Sequence, residues 1–199
     1  NGSIVFDIES EGMANYAISL RIPGWCCAAH LRVNGAAVDL SDVTRNGYAT
    51  IVRDWRHGDR IELDLAMPVE LCESRDDVWD TAGCVAIRRG PIIYCLEEID
   101  NGSKLHSLAI PHDAHGVARM EKTPALGSHA VVTLPAFRRI THGSQPLYAP
   151  IHSRLEPVTV TAIPYALWNN RGVGEMRVWL QGIERMNQTE AGPDAPSNS

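Results

Sequence analysis

Arg60-Ile61-Glu62-Leu63-Asp64-Leu65 alternates charged and apolar side chains over six residues. A period of two is the pattern of a strand with one face on a core and one in water. Met67-Pro68 ends it, because proline cannot donate to a sheet ladder. Working backwards, Trp55-Arg56-His57-Gly58-Asp59 reads as a turn, and Tyr48-Ala49-Thr50-Ile51-Val52 as the strand before it. Asn46-Gly47 opens that strand. Asn34-Gly35 joins His30-Leu31-Arg32-Val33 to a return strand at Val38-Asp39-Leu40. Asn-Gly is the strongest short hairpin signal, since both residues tolerate the positive φ of a type I′ turn. Tyr16 to Ile22 alternates until Pro23-Gly24, and Ile4-Val5-Phe6-Asp7-Ile8 is a further β-rich run.

That spacing of short strands and turns is the pattern of a β-sandwich. A second β region follows. Its runs are Gly83 to Ile87, Ile92 to Leu96, Ala130 to Leu134, Val158 to Ile163 and Met176 to Leu180, with Met176, Val178 and Leu180 on one face. Gly90-Pro91 marks a bend between two of them. The Gly/Pro-punctuated stretches 98–128 and 135–157 read as long loops, of the kind that wrap another domain or carry contacts. No window carries the apolar stripe of a long helix. The expectation is an all-β chain of two consecutive, jelly-roll-like β-sandwich domains. Residues 1–68 form the first, which is expected to lack upstream strands. Residues 69–186 form the second, joined to the first through the stretch from Met67-Pro68 to Trp79. Residues 187–199 form a polar, disordered tail.

The 199 residues are 44% hydrophobic and 21% charged, which excludes disorder over the whole length. No run approaches the roughly 18 apolar residues of a membrane span. Net charge is -6, and the densest basic pairs are Arg88-Arg89 and Arg138-Arg139, so a nucleic-acid stripe is absent. Neither nucleic acid nor membrane is expected as a partner. The five cysteines show no CxxC spacing and no signal peptide is visible, so a reducing, cytoplasmic location is expected. The start at Asn1 suggests a piece of a longer protein.

Candidate chemistry is sparse. His112-Asp113-Ala114-His115 offers two imidazoles but no further zinc ligands nearby in sequence. Cys84 and Cys95 sit in apolar runs and read as small buried hydrophobes, and a bridge between them would need neighbouring strands. Glycosidases use paired carboxylates. Glu97, Glu98 and Asp100, or Glu70 and Glu73, are of the right type, but acidic residues at strand ends are usually solvated. Of the five tryptophans, Trp168 is the best placed for sugar stacking, and the others read as packing.

Longer phrases are more specific. In order they are Leu20-Arg21-Ile22-Pro23-Gly24-Trp25, Val33-Asn34-Gly35, Gly47-Tyr48, Trp55, Gly58-Asp59 and Leu65-Ala66-Met67-Pro68. Then come Ala86 to Glu97, containing Arg88-Arg89-Gly90-Pro91, and Asp100-Asn101. Last are Ala162-Ile163-Pro164-Tyr165-Ala166-Leu167-Trp168-Asn169-Asn170-Arg171-Gly172 and Gly174-Glu175-Met176. This series resembles the C-terminal part of glycoside hydrolase family 127, the β-L-arabinofuranosidase family, over roughly residues 1–182.

The resemblance implies an N-terminal (α/α) barrel followed by two β-sandwiches. Catalysis would reside in the barrel, where zinc holds a cysteine nucleophile beside other Cys ligands and a Glu. The family's catalytic phrase is Cys-Cys followed by Pro-Pro-Asn. Here Cys26-Cys27 is followed by Ala28-Ala29 and preceded by Pro23-Gly24-Trp25, which matches the sandwich phrase. No catalytic, cofactor-binding or zinc residue carries over to this chain. The parent protein is expected to be a glycoside hydrolase, with zinc in its barrel and this chain as a non-catalytic accessory region. Its expected partners are the barrel of the same polypeptide and a second copy in a homodimer. An independent carbohydrate-binding module is the alternative, and a dimerisation module a third. Trp168, Asn169, Asn170 and Arg171 form the candidate contact loop, interdomain or sugar-binding. Arg171 is suited to carbonyls or a carboxylate across a domain boundary.

Overall fold

The computed structural model describes residues 2–141 and 146–184. Residues divide into two units. One holds Asn1–Pro68 with Arg89–Pro91, the other Val69–Arg88 with Ile92–Ser199. Both are all-β, and the α-helices among the described residues are single four-residue turns.

The first unit contains β1 (Ser3–Asp7), β2 (Ala14–Arg21), β3 (Ala29–Val33), β4 (Ala36–Val38), α1 (Leu40–Val43), β5 (Thr44–Arg45), β6 (Tyr48–Trp55) and β7 (Arg60–Leu65). One sheet runs β1-β7-β3-β4 and the other β2-β6-β5. Ile61, Leu63 and Leu65 of β7 are buried, as the alternation requires. They join Leu20, Leu31, Val33, Ala49, Ile51 and Trp55 in one apolar core. Trp55 is fully buried, and its Nε1–H donates to the Tyr16 carbonyl at 3.0 Å, so the indole carries no unmet donor inside.

Both Asn-Gly pairs adopt left-handed turns, with φ of 53° and 79° at Asn34-Gly35 and 51° and 78° at Asn46-Gly47. Asn34 also reaches across the unit. Its side chain donates to Asp59 and accepts from the Arg60 N–H, both at 2.8 Å. The return strand β4 stops at Val38, one residue before Asp39. The Asp39 carboxylate accepts the Ser41 N–H at 2.9 Å and starts α1 instead, as a helix N-cap does.

The second unit contains β8 (Val69–Glu73), β9 (Cys84–Arg89), β10 (Ile92–Glu97), α2 (Glu98–Asn101), β11 (Leu108–Pro111), β12 (Val117–Thr123), β13 (Gly127–Ile140), β14 (Arg154–Pro164), β15 (Met176–Arg177) and β16 (Leu180–Ile183). Its order is β15-β10-β14-β13-β11-β16-β9-β8, with β12 on β13. A further β10–β9 pairing closes β10, β14, β13, β11, β16 and β9 into a barrel of six strands. Val85, Ile87, Tyr94, Leu96, Leu105, Leu108, Ile110, Val132, Leu134 and Val160 fill it.

Three expectations change here. The stretches read as loops at 98–128 and 135–157 hold β11, β12 and the outer halves of the β13–β14 hairpin, paired as far as Ile140↔Arg154. Polar and proline residues there sit on a ladder set by non-local pairing, which local composition does not report. The run Met176 to Leu180 is two strands. Met176 pairs with Glu97, whereas Leu180 pairs with Val85. The stretch expected to join the domains begins with a strand, β8, directly after Pro68. The tail 187–199 lies outside the described residues.

Candidate functional site

The loop singled out in the sequence, Trp168-Asn169-Asn170-Arg171, faces α2 across a cleft of about 380 Å³. Two features of the fold bring them together. Strand β10 delivers Glu97 to the foot of α2, and the short turn Tyr165–Leu167 after β14 delivers the loop.

Glu97 is buried and accepts three hydrogen bonds. Its Oε1 accepts the Asn169 N–H at 2.7 Å, and its Oε2 accepts Arg171 Nε–H at 3.1 Å and an Nη2–H as well. Arg171 turns its other donors to Asp100, with Nη1 to Oδ1 at 2.9 Å. One guanidinium thus ties a strand end and a helix turn that lie more than 70 residues earlier. The Asp100 hydrogen bonds raise the Arg171 pKa above its ordinary value, with Glu97 adding in the same direction against burial. Arg171 therefore stays charged, as a planar fork between two carboxylates should.

A second clasp closes the other end of the cleft. Glu175 Oε1 and Oε2 accept the N–H groups of Lys104 and Leu105 at 2.9 and 2.8 Å. Those two backbone bonds hold the Glu175 carboxyl below the usual carboxylate range. The Glu175 N–H donates to Glu98 Oε2, and its carbonyl accepts the Glu98 N–H, both at 2.9 Å. Lys104 needs this support, since it has a left-handed φ of 60°. Asn101 adds a third tie, donating to the carbonyls of Glu97 and Thr161 and accepting the Thr161 N–H.

Trp168 flanks the cleft at 38% exposure, stacked on Tyr165 with ring centroids 6.4 Å apart. Asn169 takes the left-handed φ of 62° expected of Asn in a tight loop. Asn170 donates to the carbonyls of Leu167 and Trp168. The partners that the structure gives Arg171 are carboxylates of the second unit itself. Glu98 and Glu175 were present in the sequence, but the mutual clasp was not legible. Its two halves are 77 residues apart, and neither carries a local signature.

The remaining candidates are scattered. Glu70 is paired with Arg88 at 2.9 Å, and His112 Nδ1 lies 3.3 Å from Glu184. All five cysteines are free. Cys26 Sγ contacts the Ala28 carbonyl at 3.0 Å. Cys95 is buried, and its thiol is pushed up to about 12, chiefly by that burial. Among the described residues no group of three or more His, Cys, Asp or Glu is placed to hold a metal ion. Trp55 is in the core, while Trp79, read as packing, stands 85% exposed. No helix among the described residues is long and apolar enough to cross a membrane.

Known proteins similar to this chain share both units. Residues 1–67 match the "Beta-L-arabinofuranosidase, GH127 middle domain", and residues 69–181 match the "Glycoside hydrolase family 127 C-terminal domain". A non-reducing end β-L-arabinofuranosidase of Bifidobacterium longum subsp. longum is 35% identical over 168 residues, covering 80% of this chain and 25% of that protein. The crystal structure of a GH127 β-L-arabinofuranosidase from Geobacillus stearothermophilus T6 is 41% identical with a TM-score of 0.85, over 92% of this chain and 29% of that one. A further GH127 β-arabinofuranosidase structure is 28% identical with a TM-score of 0.81, over 92% and 30%. The chain spans less than a third of the length of each of these relatives. On both domain matches the chain belongs to glycoside hydrolase family 127.

Proposed function

We propose that this chain is the non-catalytic accessory region of a β-L-arabinofuranosidase-type glycoside hydrolase, scaffolding an N-terminal (α/α) barrel of the same polypeptide. In this reading the zinc and the nucleophilic cysteine belong to the barrel. The observation that carries the reading is the connector of the β13–β14 hairpin. Leu147, Tyr148 and Ile151 project from it about nine-tenths exposed. Large apolar side chains held in water at a hairpin tip fit a docking contact with another domain. The carboxylates of the cleft agree with it. Glu97 is held by three hydrogen bonds from Arg171 and the Asn169 N–H, the surroundings of a structural ion pair.

Replacing Leu147, Tyr148 and Ile151 together by Asp tests the docking. In the polypeptide that includes the barrel, melting of the whole should fall by several degrees, while the isolated chain should melt unchanged. An unchanged melt in both contexts would remove the contact.

One observation favours a second reading, an independent carbohydrate-binding module. The Tyr165–Trp168 stack offers an aromatic shelf beside a cleft. Titration of the isolated chain with arabinose-containing oligosaccharides separates the two. Binding at millimolar concentration or tighter supports the module, and no binding supports the scaffold.

A further inference from the structure

Three Asn-Gly dipeptides lie wholly within the described residues, at Asn34-Gly35, Asn46-Gly47 and Asn101-Gly102. Glycine has no Cβ to crowd its backbone nitrogen, so that nitrogen can reach the carbonyl carbon of the preceding side-chain amide. The first two pairs have nearly the same backbone, with φ of 53° and 79° against 51° and 78°. Their side chains differ. Asn34 Nδ2 donates to Asp59, itself buried, and Asn34 Oδ1 accepts the Arg60 N–H, both at 2.8 Å. Asn101 is held more closely still. Its Nδ2 donates to the carbonyls of Glu97 and Thr161, and its Oδ1 accepts the Thr161 N–H at 2.8 Å. The Gly102 N–H is also engaged, donating to the Glu98 carbonyl at 2.7 Å. Asn46 and Gly47 are exposed, and among the described residues the Asn46 amide has no hydrogen-bond partner.

We propose that Asn46 is a site of spontaneous deamidation, and that the side-chain tethers of Asn34 and Asn101 hold those two against the same reaction. The Gly47 nitrogen bonds to Cγ of Asn46, the Cγ–Nδ2 bond breaks, and ammonia leaves with the proton from the Gly47 N–H. Water then opens the cyclic imide at one of its two carbonyls, giving aspartate or isoaspartate. Water is the one co-reactant. Attack at Asn34 or Asn101 requires the side chain first to leave its partners. For a bond to a charged group such as the Asp59 carboxylate, that opening slows the reaction by roughly tenfold or more. Isoaspartate routes the chain through Cβ and Cγ, which adds an atom to the main chain of the turn between β5 and β6. The Gly47 carbonyl accepts the Ile22 N–H at 2.8 Å, just beyond the end of β2. An isoaspartyl turn therefore withdraws that acceptor and loosens the chain before Pro23.

Peptide mapping by mass spectrometry tests this on the purified chain held at 37 °C, at pH 7.4 and at pH 9, with asparagine loss read separately at the three dipeptides. In the folded chain Asn46 should be lost roughly ten times faster than Asn34 or Asn101, or more. All loss should quicken at pH 9, where the glycine nitrogen gives up its proton more readily. In the urea-unfolded chain, where no tether survives, the three rates should converge. Loss of Asn34 or Asn101 as fast as Asn46 in the folded chain overturns the proposal, as does the absence of loss at Asn46. A lead of Asn46 that persists unchanged in urea also overturns it, because neighbouring sequence and not the tethers then sets the order. The isoaspartyl form, separated by chromatography, should exchange its Ile22 amide proton faster than the unmodified chain. Equal exchange at Ile22 overturns the structural consequence drawn for the turn.

Discussion

Arg171 donates to Glu97 and Asp100 together, and so clamps the loop after β14 onto the end of β10 and the first turn of α2. Both Arg171 and Glu97 side chains are largely out of water, at 18% and 8% exposure. Removing one member of such a pair leaves an uncompensated buried charge. Arg171→Ala should cost about 3 kcal/mol, which for a domain of this size lowers the melting temperature by about 6–12 °C. Arg171→Lys keeps the charge but loses the fork, and should fall between. Thermal unfolding of the two variants followed by circular dichroism checks the order.

Trp168 is exposed and stacks on Tyr165, and its role is separable from that of Arg171. If the loop is a brace, Trp168→Ala in the polypeptide that includes the barrel lowers the melting temperature without selectively raising KM for an aryl β-L-arabinofuranoside. Loss of its apolar contact is worth at most about 1.5–3 kcal/mol. A variant that keeps its melting temperature but loses substrate affinity makes the loop a binding site.

Acid should weaken both units. Asp59 is held below the usual carboxylate range by the Asn34 side chain and the Arg56 N–H, and Glu175 by the Lys104 and Leu105 N–H groups. A carboxyl with a lower pKa in the folded state than in the unfolded one adds stability above the unfolded value, about 4. That stability is lost as pH falls through the lower, folded value. Melting temperature should therefore be flat from pH 7 to about 5 and drop below 4. Glu175→Gln should shrink the drop, as read by melts across that range.

The cysteines should sort by access. Cys27 is exposed, whereas Cys95 is buried with its thiol pushed up to about 12. Because the thiolate is the reactive form, Cys95 should resist Ellman's reagent at pH 8 until the protein unfolds, and Cys27 should react at once. Mass spectrometry of labelled peptides reads both. Fast labelling of Cys95 in the folded state would place it outside the core.

Much of the fold is written locally. In Arg60–Leu65 every apolar residue is buried and every charged one is more open, and both Asn-Gly pairs take the left-handed turns their chemistry favours. What was not legible is what depends on distant partners. The outer halves of β13 and β14 are strand because they pair with each other, despite Pro135 and Pro157 within them. Met176 and Leu180 belong to different strands because β10 and β9 claim them separately. At the site, the loop Trp168–Arg171 was recognisable from its phrase, whereas its pairing with Glu97 and Asp100, more than 70 residues away, was not. The phrases that carry the family likeness gain a physical reason here. Asn34 meets Asp59, and Arg171 meets Glu97 and Asp100, so phrases far apart in sequence form single hydrogen-bonded units.

The central claim is that this chain supports catalysis without performing it. Hydrolysis of an aryl β-L-arabinofuranoside by the purified chain, with and without added zinc, tests it most directly. No turnover above the buffer rate is predicted in either condition. Zinc-dependent turnover that disappears on replacing Cys26 or Cys27 by Ala would contradict it.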